Sequence, residues 1–235
     1  MTRLTERLRS ATASLHQQVE RGPFISTLLK GRMERPAYLG LLLNLEPIYA
    51  ALEPALERHA RDPALRALPL PALARTAALR EDIAALGGDG AFDGSRSAPP
   101  SAPEPACLEY VTRLGAIAQT RPELLLAHAY VRYLGDLSGG QLLRRIVTRS
   151  LALEPDRGVA FYDFGADSSA LARELRLAID EGQVSDGDAV VAEACLAFEL
   201  HRRLFEELAT TFGCADGGTP FAPPSNGAAE LDAID

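Results

Sequence analysis

Tryptophan is absent from this chain, and tyrosine and phenylalanine together supply only 6% of it. Strands prefer aromatic and β-branched residues, whereas the Ala, Leu, Arg and Glu that fill long stretches here lose little rotamer freedom in a helix. The scarcity argues against a sheet-built fold and predicts an all-α domain. Cysteine is equally sparse. Cys107, Cys195 and Cys214 stand far apart with no C-x-x-C pair, which argues against a disulfide framework and a cysteine zinc site and fits a reducing cytoplasm. No run approaches the roughly 18 apolar residues of a membrane span, and the N-terminal MTRLTERLRS carries charges where a secretory signal needs an apolar stretch. The chain therefore reads as cytoplasmic, with no membrane anchor. Positive charge is short as well: 24 Lys and Arg against 32 Asp and Glu leave a net −8, which argues against a nucleic-acid partner.

What is present suits a packed helical core. A chain of 235 residues with 47% hydrophobic content can bury a sizeable interior. Leu4, Leu8, Ala11, Leu15 and Val19 alternate at spacings of four and three, one apolar stripe that Gly22 and Pro23 end. A second pattern runs from after Pro36 to about His59, with an expected kink at Pro47. Further helices are predicted over about 71–86, 106–119, 122–150, 168–181 and 187–212. The Pro- and Gly-rich stretch 88–105 reads as a surface loop inside a single domain of residues 1–213, and 214–235 as a disordered tail.

The segment His128–Arg145 breaks the pattern, because Gly135, Gly139 and Gly140 stand well inside a helical stretch. Each glycine costs about 1 kcal/mol against alanine in a helix interior, so a close approach should require them. Gly135 and Gly139 are four apart and share a face, a strip of bare backbone against which something flat can press. Arg132 and Asp136, also four apart, can pair beside that strip. The spacing equally allows a break, with Ser138-Gly139-Gly140 as a turn between two helices. Only four histidines are available as nitrogen ligands: His16, His59, His128 and His201. A lone helical histidine such as His16 is ordinarily a surface or core residue. Glu20 follows it by one helical turn and can orient the ring, and Arg9 precedes it by seven residues on the same face.

The string from Tyr130 to Gln141, Y-V-R-Y-L-G-D-L-S-G-G-Q, closely resembles the signature of the haem oxygenase family. The likeness extends upstream through T-R-P-E-L-L-L-A-H-A-Y, downstream through L-F-E-E-L at Leu204–Leu208, and to L-H-x-x-x-E around His16. It covers nearly the whole chain except the Pro-rich stretch and the tail. The resemblance implies a soluble, single-domain helical bundle holding haem between a proximal helix and a kinked distal helix. It implies haem b as both cofactor and substrate, cleaved with O2 to biliverdin, ferrous iron and carbon monoxide. Electrons would come from a separate reductase or ferredoxin, since no flavin or nicotinamide motif is present, and a biliverdin-accepting protein is a further conceivable partner of a monomeric enzyme.

By the same resemblance His16 is the axial iron ligand, Glu20 its orienting carboxylate, and Arg9 and Arg176 the propionate partners. A second basic residue usual in the family is replaced here by Ala13. Tyr49, Tyr110, Arg132 and Asp136 would form the distal polar network, with Gly135 and Gly139 steering oxygen and Asp136 delivering protons. Tyr130, Gly140, Phe198 and Phe205 would line the haem pocket, and His201 stands where relatives often carry an amide. Two rival readings are weaker. A di-iron bundle needs E-x-x-H pairs, whereas Ala13, Leu56, Leu125 and Phe198 stand three residues before the four histidines. A non-catalytic haem carrier or sensor of the same fold would not require Asp136 and the glycines.

Overall fold

The computed structural model describes residues 2–87, 102–165 and 167–214. Among them no strand occurs, so the all-α expectation holds. The greater part of the loop expected at 88–105 and nearly all of the expected tail lie outside the described residues; Glu104 already leads into a helix at Pro105.

Helix α1 spans Leu4–Arg21 and ends at Gly22, as the sequence indicates. Pro23, however, does not begin a loop: it opens a second short helix, α2, over Pro23–Leu29. Proline's missing N–H costs nothing in a first turn, where that donor has no helical partner. Helix α3, Arg35–Arg58, runs unbroken through both Pro47 and Pro54. Burial of Tyr38, Leu41, Leu42, Leu45, Ile48, Tyr49 and Leu52 along its length outweighs the lost donors. The single helix expected over 71–86 is instead two, α4 (Leu70–Leu73) and α5 (Thr76–Gly87). The division lies where the Glu53 carboxylate accepts the backbone N–H groups of Arg75 and Thr76 and the Thr76 hydroxyl at 2.6 Å. Glu53 thus caps α5 from a neighbouring helix.

Helix α6 covers Pro105–Thr120. After a 3-10 turn at Pro122–Leu124, α7 (Leu125–Ala129), a π-helical turn (Tyr130–Leu134) and α8 (Gly135–Ser150) form one continuous run. Helices α9 (Ser168–Glu181) and α10 (Gly187–Thr211) begin at the aspartate caps Asp167 and Asp186, whose carboxylates accept the N–H groups of Ala170 and Ala189. Helix α3 packs on α5 and α6, while α10 lies along α1 and against α6 and α7, enclosing one core. Gly40 of α3 is required by this packing, because a Cβ there would overlap the Phe212 ring. Among the described residues no helix is long and apolar enough to cross a membrane.

Candidate functional site

The choice left open by the glycine spacing falls to the continuous helix. Ser138, Gly139 and Gly140 lie inside α8, and the irregularity is the π turn one step upstream. A π turn widens one turn of backbone and resets which side chains share the face below it. Below it, a Cβ added at Gly135 or Gly139 would meet nothing within 4 Å. The two glycines therefore present bare backbone to open space, and no packing need within the protein accounts for them. Gly140 differs from the other two in its surroundings. It is buried, and a Cβ there would stand in ordinary van der Waals contact with Tyr162, 3.6 Å from its ring, where α8 meets the 3-10 turn Ala160–Tyr162.

Beside the bare strip stands a buried polar group. Arg132 donates from Nη2 to Asp136 Oδ1 at 3.2 Å and from Nε to the Tyr49 hydroxyl at 3.0 Å, and Tyr49 donates in turn to Asp136 Oδ2. Burial pushes the Asp136 carboxyl up from its ordinary pKa, against the pull of Arg132 and Tyr49. Tyr49, Arg132 and Asp136 are thus brought together as expected, and His201 joins them. Its Nδ1 lies 3.1 Å from the Ala197 carbonyl, so Nδ1 carries the hydrogen and Nε2 accepts from Arg132 Nη1. Burial, and then the Arg132 charge, hold the His201 pKa well below 6.5, and the ring is neutral.

The group is braced from behind. Phe161 meets Tyr49 edge-to-face at 5.6 Å, and the turn carrying Phe161 is held by Asp82, which accepts the N–H groups of Ala160 at 2.8 Å and Phe161 at 2.7 Å.

Tyr110 reaches the Arg132 group through its ring and a second chain through its hydroxyl. Its hydroxyl pairs with His128 Nδ1 at 2.9 Å, and only its ring approaches His201, edge-to-face at 5.1 Å. His128 Nε2 lies 3.0 Å from Glu193 Oε1, and Glu193 is gripped by Arg113. Sequence spacing gives no hint of this second chain, because its members come from α6, α7 and α10. The one available signal is a histidine inside the apolar run L-L-L-A-H-A-Y, which must find a buried partner.

His16 of α1 has its side chain half exposed, and its Nδ1 lies 3.6 Å from Glu20 Oε1. That separation exceeds a hydrogen bond, so Glu20 acts on the ring as a neighbouring charge and leaves Nε2 for a ligand. Phe198 stands edge-to-face on the His16 ring at 5.9 Å. Phe205, seven residues on, stacks on Phe24 and borders a cavity of about 120 Å³ with Val19 and Gly22. Helix α1 meets the π turn where Tyr130 hydrogen-bonds with Thr12. Arg9 and Arg176 both act on Tyr130, and burial followed by the Arg9 charge lowers the Arg176 pKa. Two cations thus share one field at this end of the cleft.

The protein is thus an all-α single domain with a half-exposed imidazole on α1, a bare glycine strip with a largely buried aspartate beside it on α8, and Tyr130 of the π turn joining the two elements through Thr12. The haem oxygenase family model matches residues 2–207, and the chain belongs to that family. A haem oxygenase of Rhodella violacea is 35% identical over 219 residues, covering 90% of this chain and 89% of its own length. Among solved structures, the haem oxygenase of Leptospira interrogans superposes with a TM-score of 0.79 at 34% identity, covering 88% of this chain and 100% of that one. Haem oxygenase-1 of Synechocystis sp. PCC6803 in complex with haem gives 0.80 at 33% identity, covering 90% and 94%.

Proposed function

We propose that this protein is a haem oxygenase that cleaves haem, with O2 and electrons, to biliverdin, ferrous iron and carbon monoxide. The observation that carries the reading is the pairing of open backbone at Gly135 and Gly139 with the buried Asp136 group. The residues present fit haem. A flat macrocycle needs a helix face without side chains, its iron needs an imidazole nitrogen free of other partners, and its propionates need cations such as Arg9 and Arg176.

Haem, when bound, supplies both the iron that activates oxygen and the porphyrin that is cut. The protein's part is placement and protons. His16 would bind through Nε2, with the Glu20 charge beside Nδ1 favouring the orientation in which Nε2 faces the cleft. Gly135 and Gly139 would admit the ring close to α8 and crowd its distal face with backbone alone, so that no side-chain acid touches the reacting oxygen directly. Asp136 accepts from Tyr49 and Arg132, which leaves its remaining lone pairs for ordered water; its raised pKa suits a group that gives and takes a proton. Phe198 would hold the His16 ring, and Tyr130 would close the propionate end.

Electrons would come from an external ferredoxin or reductase to a monomeric enzyme, with a biliverdin-accepting protein as a further partner; the three cysteines, free in the structure, fit a cytoplasmic setting.

The test is aerobic turnover. The protein mixed with hemin and a reductant should lose its Soret band while red-region biliverdin absorbance grows, and His16→Ala should abolish both. A stable ferric or ferrous-oxy spectrum in the wild type would instead identify a haem carrier or sensor.

A further inference from the structure

The row of buried Tyr110, His128 and Glu193, closed at its outer end by the partly exposed Arg113, has no part in the chemistry above, yet its hydrogen bonds have a forced direction. Arg113 clamps Glu193, with Nε donating to Oε1 at 2.9 Å and Nη2 donating to Oε2. Burial pushes the Glu193 carboxyl up, but Arg113 and His128 outweigh it and hold its pKa at about 2. An ionised carboxylate offers only lone pairs, so His128 Nε2, at 3.0 Å from Oε1, must carry the hydrogen. Burial also lowers the His128 pKa and keeps the ring neutral, which leaves Nδ1 bare. The hydroxyl 2.9 Å from that nitrogen, Tyr110, must then be the donor.

A phenol has one hydrogen. With it committed to His128, Tyr110 can offer only lone pairs in the direction of Arg132 and Asp136, both of which act on it electrostatically. We infer that Arg113, Glu193 and His128 are positioning residues that hold Tyr110 as a hydrogen-bond acceptor on the side of the distal network. A water meeting Tyr110 must donate to it. Together with the remaining lone pairs of Asp136, an acceptor at Tyr110 would favour proton-rich water over hydroxide beside the network. His128 is faced by Tyr110 from α6, by Glu193 from α10 and by the Arg113 charge from α6, while His201 of α10 packs on the Tyr110 ring, so none of these described neighbours reverses the order.

The inference rests on the haem oxygenase reading for what the cleft holds, and its test has one arm that does not. In the haem-free protein, 15N NMR of the imidazoles should show His128 protonated at Nε2; protonation at Nδ1 would overturn the inference whatever the cleft binds. In the ferric haem complex, the pH midpoint of the absorption change is compared among the wild type, His128→Leu, Tyr110→Phe and the double variant. His128→Leu frees the Tyr110 hydrogen to donate into the cleft and should lower the midpoint by up to about one pH unit, the scale of one hydrogen bond. His128→Gln, whose amide can donate an N–H to Glu193 and accept from Tyr110 through its carbonyl, should return the midpoint to the wild-type value. In the Tyr110→Phe background His128→Leu should change nothing. Equal shifts in both backgrounds, or no shift in the wild-type background, would contradict the inference, whereas failure to bind haem at all would contradict the family activity.

Discussion

At the scale of single residues, Asp136 carries the heaviest demand. Its carboxylate is tied to Tyr49 and Arg132 and stands beside backbone that no side chain covers. Replacing it leaves His16 and the glycine strip intact, so Asp136→Ala should bind hemin as the wild type does while biliverdin yield falls about 100-fold or more, the scale of a positioned proton donor. Equal yield in a quantitative bilin assay would remove Asp136 from the mechanism. The pairing of Arg132 with Asp136 is legible in the sequence because four residues make one helical turn. Glu193, Arg113 and His128 are not legible, since their contacts join positions 65 and 80 residues apart, and only folding decides which buried polar group meets which.

The helix containing the glycines illustrates how an element can be tuned for a ligand against its own stability. A Cβ at Gly139 meets nothing within 4 Å, so Gly139→Ala should stabilise the haem-free protein by about 0.5–1 kcal/mol through helix propensity. The same methyl group would stand on the face reserved for haem, so hemin affinity should fall. Thermal unfolding of the haem-free protein and hemin titration would check the two signs together, and unchanged affinity would mean that the strip faces something else. The turn Ala160–Tyr162 is an element of the opposite kind, held together for packing. Asp82→Ala would strip the acceptor from two backbone N–H groups and should cost about 2–4 kcal/mol in urea unfolding.

Element existence was largely readable from apolar periodicity, but several boundaries were not. Pro23 reads as a stop and is a start, and the division of α4 from α5 depends on Glu53, a residue of another helix. The open question over Ser138–Gly140 needed three dimensions, because turns and bare helix faces call for the same glycines.

For the molecule as a whole, the buried histidines make stability depend on pH. His128 and His201 have folded-state pKa values below the usual 6.5, so the unfolded chain binds more protons than the folded one as pH drops under 6.5. Each then removes up to about 1.4 kcal/mol of stability per pH unit. Glu193 adds to this at lower pH: with its pKa lowered from 4.5 to about 2, its contribution is present above 4.5 and is lost as pH falls toward 2. Asp82 and Asp136, both raised mainly by burial, work the other way and soften the loss. Melting temperature should therefore decline as pH drops from 6.5 toward about 5, and His201→Asn should decline less steeply than the wild type. Of the four histidines only His128, inside the apolar run L-L-L-A-H-A-Y, carries a sign of burial in the sequence; that of His201 depends on how α10 packs.

The central claim is geometric: one cleft, with His16 on one wall and the Gly135–Gly139 strip on the other, holds the macrocycle. A crystal structure of the hemin complex measures it directly. The expected result is iron bound by His16 Nε2, with the opposite face of the ring against the backbone of Gly135 and Gly139 and the propionates toward Arg9 and Arg176. Iron bound by a different histidine, or a ring lying away from that strip, would contradict it.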